Sequence, residues 1–139
     1  MNTQTQTKPD QTKQSQDAPT VVWFEIPADN IERAKKFYGS LFGWKMEKFP
    51  AAVADYWVIN TGNGEDKPAG GLMPRMHSHQ PITSYVAVPS VDESAAKVQK
   101  LGGKIMKPKT AVPHMGYFAI CTDTENNEFA LWQCDENAE

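Results

Sequence analysis

Tyr56-Trp57-Val58-Ile59-Asn60-Thr61 and Tyr117-Phe118-Ala119-Ile120-Cys121-Thr122 are two versions of one apolar hexapeptide, 61 residues apart. Each opens on tyrosine, continues with a second aromatic and closes on threonine. The match extends outward toward the start of each copy. Ile26-Pro27 answers Val88-Pro89, and Ala34-Lys35 answers Ala96-Lys97, both at an offset of 62. Gly43 answers Gly103, and Met46 answers Met106, at an offset of 60. These drifts fall in turns, where a change in loop length costs little free energy. Repeated matches in one order indicate an internal duplication.

Each copy reads as strand, helix, then three strands. Val21 to Ile26 is β-branched and aromatic, a strand ended by Pro27. Asp29 or Asn30 can cap a helix in which Ile31, Ala34, Phe37, Tyr38 and Leu41 recur at helical spacing. Gly43 supplies the stop. Strands follow over 44–49, 55–61 and 69–73, with a turn at Gly62-Asn63-Gly64. The second copy has a strand from Ile82 to Val88 closed by Pro89, then a helix from Val91 to Leu101 ended by Gly102-Gly103. Its remaining strands run over 104–112, 116–122 and 127–133, the last two joined by a turn at Asn126-Asn127.

This predicts an α+β fold. Two tandem βαβββ modules, about 20–74 and 82–133, form one domain over 20–133 and curve a mixed sheet around a cleft, with the helices outside. Residues 1–19 are almost wholly polar. They cannot bury enough apolar surface to offset their ordering entropy, so a disordered tail is expected. Residues 134–139 read as a C-terminal tail.

The chain has 139 residues, enough for a substantial core, and a net charge of −3. No basic face suggests nucleic acid: Lys104, Lys107 and Lys109 read as the solvent side of one strand. No apolar run approaches the ~18–20 residues of a membrane span, and no apolar leader is visible. Cys121 and Cys134 form no CxxC pair, so neither a disulfide framework nor a structural zinc site is expected. The expectation is a soluble, cytoplasmic protein.

Beyond the repeat itself, particular runs resemble a known family. Glu32-Arg33-Ala34-Lys35-Lys36-Phe37-Tyr38 and Leu41-Phe42-Gly43-Trp44 resemble the first module of the vicinal-oxygen-chelate superfamily, which includes glyoxalases, bleomycin-resistance proteins and extradiol dioxygenases. Leu101-Gly102-Gly103-Lys104 and Asp123 to Gln133 resemble its second module. That module typically ends in Asp-Pro-x-Gly-Asn before an apolar strand; here Thr124 and Asn126 replace the proline and glycine. Trp23-Phe24-Glu25-Ile26 and the run from Phe37 to Trp44 resemble a bacterial branch of the superfamily.

The resemblance implies four symmetric metal-ligand positions, on the first and last strand of each module. They align with Trp23, Gly71, Tyr85 and Ala130. None offers the imidazole, carboxylate or thiolate lone pairs that a divalent metal needs. The expectation is therefore no metal by the usual constellation and no cofactor. Period-2 alternation puts Glu25 on the face of Trp23, and Trp132 on the face of Ala130. The implied cleft is apolar and aromatic, with one carboxylate that an apolar surround disfavours as an anion unless a cation or donor is near.

The candidate ligand-binding residues are Trp23, Glu25, Trp57, Gly71, Tyr85, His114, Ala130 and Trp132. Each has a plainer reading. Trp23, Tyr85, Trp57 and Trp132 also suit core packing, Glu25 also suits a structural pair, and His114 in the turn Pro113-His114-Met115-Gly116 also suits a plain loop. His77-Ser78-His79 sits between prolines with no acidic or Cys partner nearby, and reads as a solvated linker.

Three functions remain open at this level. The first is a metal-free binder of a small apolar or aromatic molecule, homodimeric by analogy. The second is a metal-dependent lyase, isomerase or dioxygenase with non-standard ligands, in which Glu25 and His114 would be the acid–base candidates. The third is a structural module with a closed cleft. No residue pattern assigns a catalytic residue.

Overall fold

A computed structural model describes residues 18–50, 55–62 and 66–139. Among these residues the fold is α+β, with eight strands and two helices: β1 (Val21–Ala28), α1 (Ile31–Phe42), β2 (Lys45–Lys48), β3 (Trp57–Asn60), β4 (Pro68–Pro74), β5 (Thr83–Ala87), α2 (Val91–Lys100), β6 (Lys104–Val112), β7 (Gly116–Thr122) and β8 (Glu128–Cys134). Every strand and helix expected from the sequence is present. The N-terminal tail, up to residue 17, and Asn63-Gly64 of the expected turn lie outside the described residues.

The chain divides into two compact units. One lies within Trp23–Thr83; the other joins the described residues up to Val22 to Ser84–Glu139. Each holds a mixed four-stranded sheet, in the order β2-β3-β4-β1 and β5-β8-β7-β6 respectively. In each, the first strand runs parallel to the last, β1 to β4 and β5 to β8. The other neighbours are antiparallel. The two βαβββ modules thus have one topology.

Each sheet buries one face under its own helix. In the first unit Ile26, Ala28, Ile59 and Leu72 form the core, and Ile31, Ala34 and Tyr38 of α1 pack on it. In the second, Ala119, Cys121 and Leu131 meet Val91, Ala95 and Val98 of α2. Burying an aliphatic side chain of this kind contributes about 1.5–3 kcal/mol.

The helix ends follow from local chemistry. Asn30, rather than Asp29, caps α1: its side chain accepts from the Arg33 N–H at 2.9 Å. Asp29 instead pairs with Arg75 Nε at 3.0 Å. Gly43 closes α1 at φ 75°, in the left-handed region that glycine enters without a Cβ clash. Ser90 caps α2 through the Glu93 N–H.

Two sequence expectations need correction. Pro27 does not end β1, which continues to Ala28; the Ala28 carbonyl still accepts from the Arg75 N–H at 2.9 Å. Proline removes only a donor, so a strand can pass through it where that donor is not needed. The second correction concerns register. Trp57 and Ile59 face their helix, but so do Tyr117, Ala119 and Cys121. The offset of 61 that aligns the two hexapeptides therefore places matched residues on opposite faces. Register gives 62 instead: Val58 lies opposite Gly71, and Ile120 opposite Ala130. A slip of one residue inverts a strand's faces, and sequence identity alone does not sense it.

Beyond β8 the chain folds back. The His114 N–H donates to the Ala138 carbonyl at 2.9 Å, and Ala138 is fully buried.

Candidate functional site

A polar cluster of the first unit lies on the face of its sheet away from α1. Trp23 and Glu25 are alternate residues of β1, so both point there, opposite Phe24 and Ile26 of the helix-covered face. Between their polar groups stands the phenol of Tyr56, immediately before β3. Trp23 Nε1 donates to Tyr56 Oη at 2.9 Å, and Tyr56 Oη donates to Glu25 Oε2 at 2.6 Å. The second bond is the shorter of the two.

Gly71 explains how the phenol fits. It lies directly opposite Glu25 on β4. A Cβ built on Gly71 would run into Tyr56 Oη and Cζ and stand 2.7 Å from Cε1. The aromatic ring therefore occupies the space that any side chain at position 71 would claim. Phe49 meets the Tyr56 ring edge-on, with centroids 6.3 Å apart.

Burial and the neighbouring negative charge both oppose ionisation of this phenol. Desolvation is the larger cause, the Glu25 carboxylate the next, and together they hold the Tyr56 hydroxyl protonated far above the usual tyrosine range. The Tyr56 oxygen is thereby fixed as donor to Glu25 and acceptor from Trp23. The expectation that Glu25 needs a nearby donor meets a specific one.

Three of the eight candidates, Trp23, Glu25 and Gly71, are brought together here. Trp57 is not with them. It lies on the helix-covered face, packed on the core, with Lys35 Nζ 3.7 Å from its ring centroid. In the second unit Tyr85 and Ala130 are directly paired, 6% and 0% exposed. Tyr85 also meets Phe118, with centroids 6.2 Å apart. Trp132 is two residues along β8 from Ala130, on the same face, and its Nε1 donates to Cys134 Sγ at 3.3 Å. His114 is exposed, at φ 66° in the β6–β7 turn.

Tyr56 is the residue that sequence reasoning passed over. It was visible as the first letter of the repeat, but no role attached to it. A signal existed: a glycine on a strand face leaves space that a large neighbour must fill. Val58 lies directly opposite Gly71, and Tyr56, two residues along, shares that face, so its ring reaches the space diagonally.

The residues at the four aligned positions do not fit a divalent metal. Trp23 offers a donor, Gly71 and Ala130 offer no side-chain ligand, and Tyr85 offers only a phenol, which is neither imidazole, carboxylate nor thiolate. A carboxylate at position 71 is sterically excluded while Tyr56 holds its place. Among the described residues no three of His, Cys, Asp and Glu are grouped to hold an ion.

Residues 20–62 match the family described as "Bleomycin resistance protein-like N-terminal". A "Glyoxylase-like domain-containing protein" of Didymella fabae is 32% identical over 113 residues, 77% of this chain and 88% of that one. The protein CFP32 of Mycobacterium tuberculosis, whose name carries a provisional glyoxylase label, is 32% identical over 119 residues, 83% of this chain. Those residues make up 46% of CFP32, so the chain spans less than half the length of that relative.

Three solved structures share the fold. A hypothetical protein of Bacillus halodurans, BH1468, superposes with a TM-score of 0.61 at 16% identity, over 88% of this chain and 99% of that one. Streptomyces coelicolor methylmalonyl-CoA epimerase in complex with 2-nitronate-propionyl-CoA gives 0.59 at 11%, over 86% and 97%. The Mn(II)-bound glyoxalase of Novosphingobium aromaticivorans gives 0.57 at 17%, over 86% and 39%. The chain belongs to the glyoxalase/bleomycin-resistance-like family of the vicinal-oxygen-chelate superfamily.

Proposed function

We infer that the protein binds a small apolar or aromatic molecule in an aromatic-lined cleft, without the metal site usual in its family. The observation that carries this reading is the exchange at position 71, where a glycine and the ring of Tyr56 stand in place of a ligating side chain. Flat aromatic surface with a few fixed polar groups is the usual lining of a small-molecule pocket. Trp23, Glu25 and Tyr56 are the proposed contacts in the first module; Tyr85, Ala130 and Trp132 are those in the second, with His114 at the rim. Family membership supports the reading, since the epimerase of the same fold is described with an acyl-CoA analogue in place. A homodimer in the cytoplasm is part of the proposal. Two free cysteines fit a reducing compartment, and among the described residues no helix is long and apolar enough to cross a membrane.

The test combines elemental analysis with tryptophan fluorescence against a panel of metabolites and antibiotics. The expected result is no stoichiometric Ni, Zn, Mn or Fe, and a saturable quench by an apolar or aromatic compound that weakens in Trp23→Phe. Stoichiometric metal would overturn the reading in favour of a metal-dependent lyase, isomerase or dioxygenase. A panel with no saturable ligand would favour a closed, structural module.

A further inference from the structure

The Tyr56 hydroxyl sits between two groups of opposite and fixed character. Indole Nε1–H can only donate, and an ionised carboxylate can only accept. A single atom that satisfies both must accept one hydrogen bond and donate another. Hydroxyl oxygen does this; an amine cation, a carbonyl or a halide does not. The two distances, 2.9 and 2.6 Å, are those of well-formed bonds on either side of one oxygen. Gly71 leaves room for the ring that carries this hydroxyl, and Phe49 meets that ring edge-on.

We propose that Trp23 and Glu25, over the floor made by Gly71, form a subsite for one aryl hydroxyl, and that Tyr56 is its resident occupant. Tyr56 is thereby a specificity-determining residue. While it holds the subsite, an incoming ligand finds neither the indole donor nor the carboxylate edge that faces it. Such a ligand is selected by apolar area alone at this end of the cleft. Further hydrogen bonds to Glu25 are compatible, because a carboxylate offers about four lone-pair sites. For the natural ligand the inference rests on the reading of this face as the ligand face. For the subsite itself it rests only on the geometry around Tyr56.

The test truncates the occupant and supplies its missing part. Tyr56→Ala removes the hydroxyphenyl group, and phenol and toluene are offered to wild type and variant. Binding is read as the ligand-dependent rise in melting temperature, which follows from affinity for the folded state alone. An empty apolar cavity would take both molecules, whereas a site built around a hydroxyl rejects the analogue lacking it. The expected result is that Tyr56→Ala binds phenol at least about tenfold more tightly than toluene. Wild type, whose subsite is filled, should show no such preference for phenol over toluene. Equal binding of phenol and toluene by the variant would overturn the proposal, as would a wild type that prefers phenol as strongly as the variant does.

If Tyr56→Ala does not fold unaided, refolding yield in each compound replaces the melt. Recovery with phenol alone supports the subsite; recovery with both or with neither overturns it. The metabolite panel fails separately. A blank panel with successful phenol rescue removes the ligand-binding reading and leaves the subsite, and the reverse result removes the subsite alone.

Discussion

The two modules share a topology and a core plan, yet their faces away from the helices have been filled by opposite means. In the first, position 71 is a glycine, and the volume is taken by Tyr56, pinned by Trp23 and Glu25. In the second, the corresponding strand position is Ala130, fully buried and paired with Tyr85, which packs on Phe118. One face carries a polar relay of three side chains and the other a mainly apolar stack. A duplicated frame holds its register while its surfaces diverge, because register is set by the helix-covered core and the opposite face is free to specialise.

That asymmetry is most easily broken at the two small residues. Gly71→Ala drives a methyl group into the Tyr56 ring, which must leave its place and give up both hydrogen bonds. The expected cost is about 3 kcal/mol, the upper end for overpacking. Ala130→Gly removes a methyl group and gains chain entropy in the unfolded state, for about 1 kcal/mol. Urea unfolding of both variants measures the contrast. In a Tyr56→Ala background the Gly71→Ala penalty should fall below about 1 kcal/mol, since a pair in contact couples strongly. An undiminished penalty there would mean that Tyr56 is not what excludes a side chain at position 71.

The next contrast lies between the two tyrosines that the sequence repeat equates. Tyr56→Phe keeps the ring but leaves the Trp23 N–H and the Glu25 carboxylate without their shared partner. Loss of a hydrogen bond to a charged group costs about 1.5–3 kcal/mol, and about 2 kcal/mol is expected here. Tyr117 packs on the helix-covered face beneath Lys109, whose Nζ lies 4.4 Å from its ring centroid. Tyr117→Phe retains that ring, so a change under about 0.5 kcal/mol is expected. Equal effects from the two variants in thermal unfolding would erase the distinction between the faces.

These two tyrosines also mark where sequence reading stops. The duplication, the element order and the turn chemistry were all legible, because they depend on local propensity and spacing. Asn126, in the place of the family's turn glycine, takes φ 67° while Asp123 accepts from the Glu125 and Asn127 N–H groups, so the substituted turn still closes. Trp23, Glu25 and Gly71 were legible as one face, because strand alternation is strict. Tyr56 was not, because its role depends on an interstrand register that the hexapeptide match places one residue out. Trp57, a candidate that also suits core packing, lies on the helix-covered face. The aromatic letters repeat, but the faces they occupy do not.

The smallest effect expected concerns the cores, where register equates Ile59 with Cys121. Both are fully buried, one as a hydrocarbon and one as a titratable thiol. Burial pushes the Cys121 thiol from its ordinary value of 9.0 up to about 11. The folded-state value is raised, so the contribution to stability is complete below about pH 9. Between 9 and 11 the unfolded chain has released this proton while the folded chain keeps it. The unfolded state then binds fewer protons, and stability falls as pH rises. Cys121→Ala has no such proton. It costs a fixed amount at neutral pH, but its urea-derived stability should fall less steeply from pH 9 to 11, by of order 1 kcal/mol over the interval. Tyr56, also held protonated, adds a decline of the same sign from about pH 10 upward in both proteins. It therefore cancels in the difference between them. Parallel curves for wild type and variant would show that the second module's core admits enough water to ionise the thiol, and that the two cores are less alike than their packing suggests.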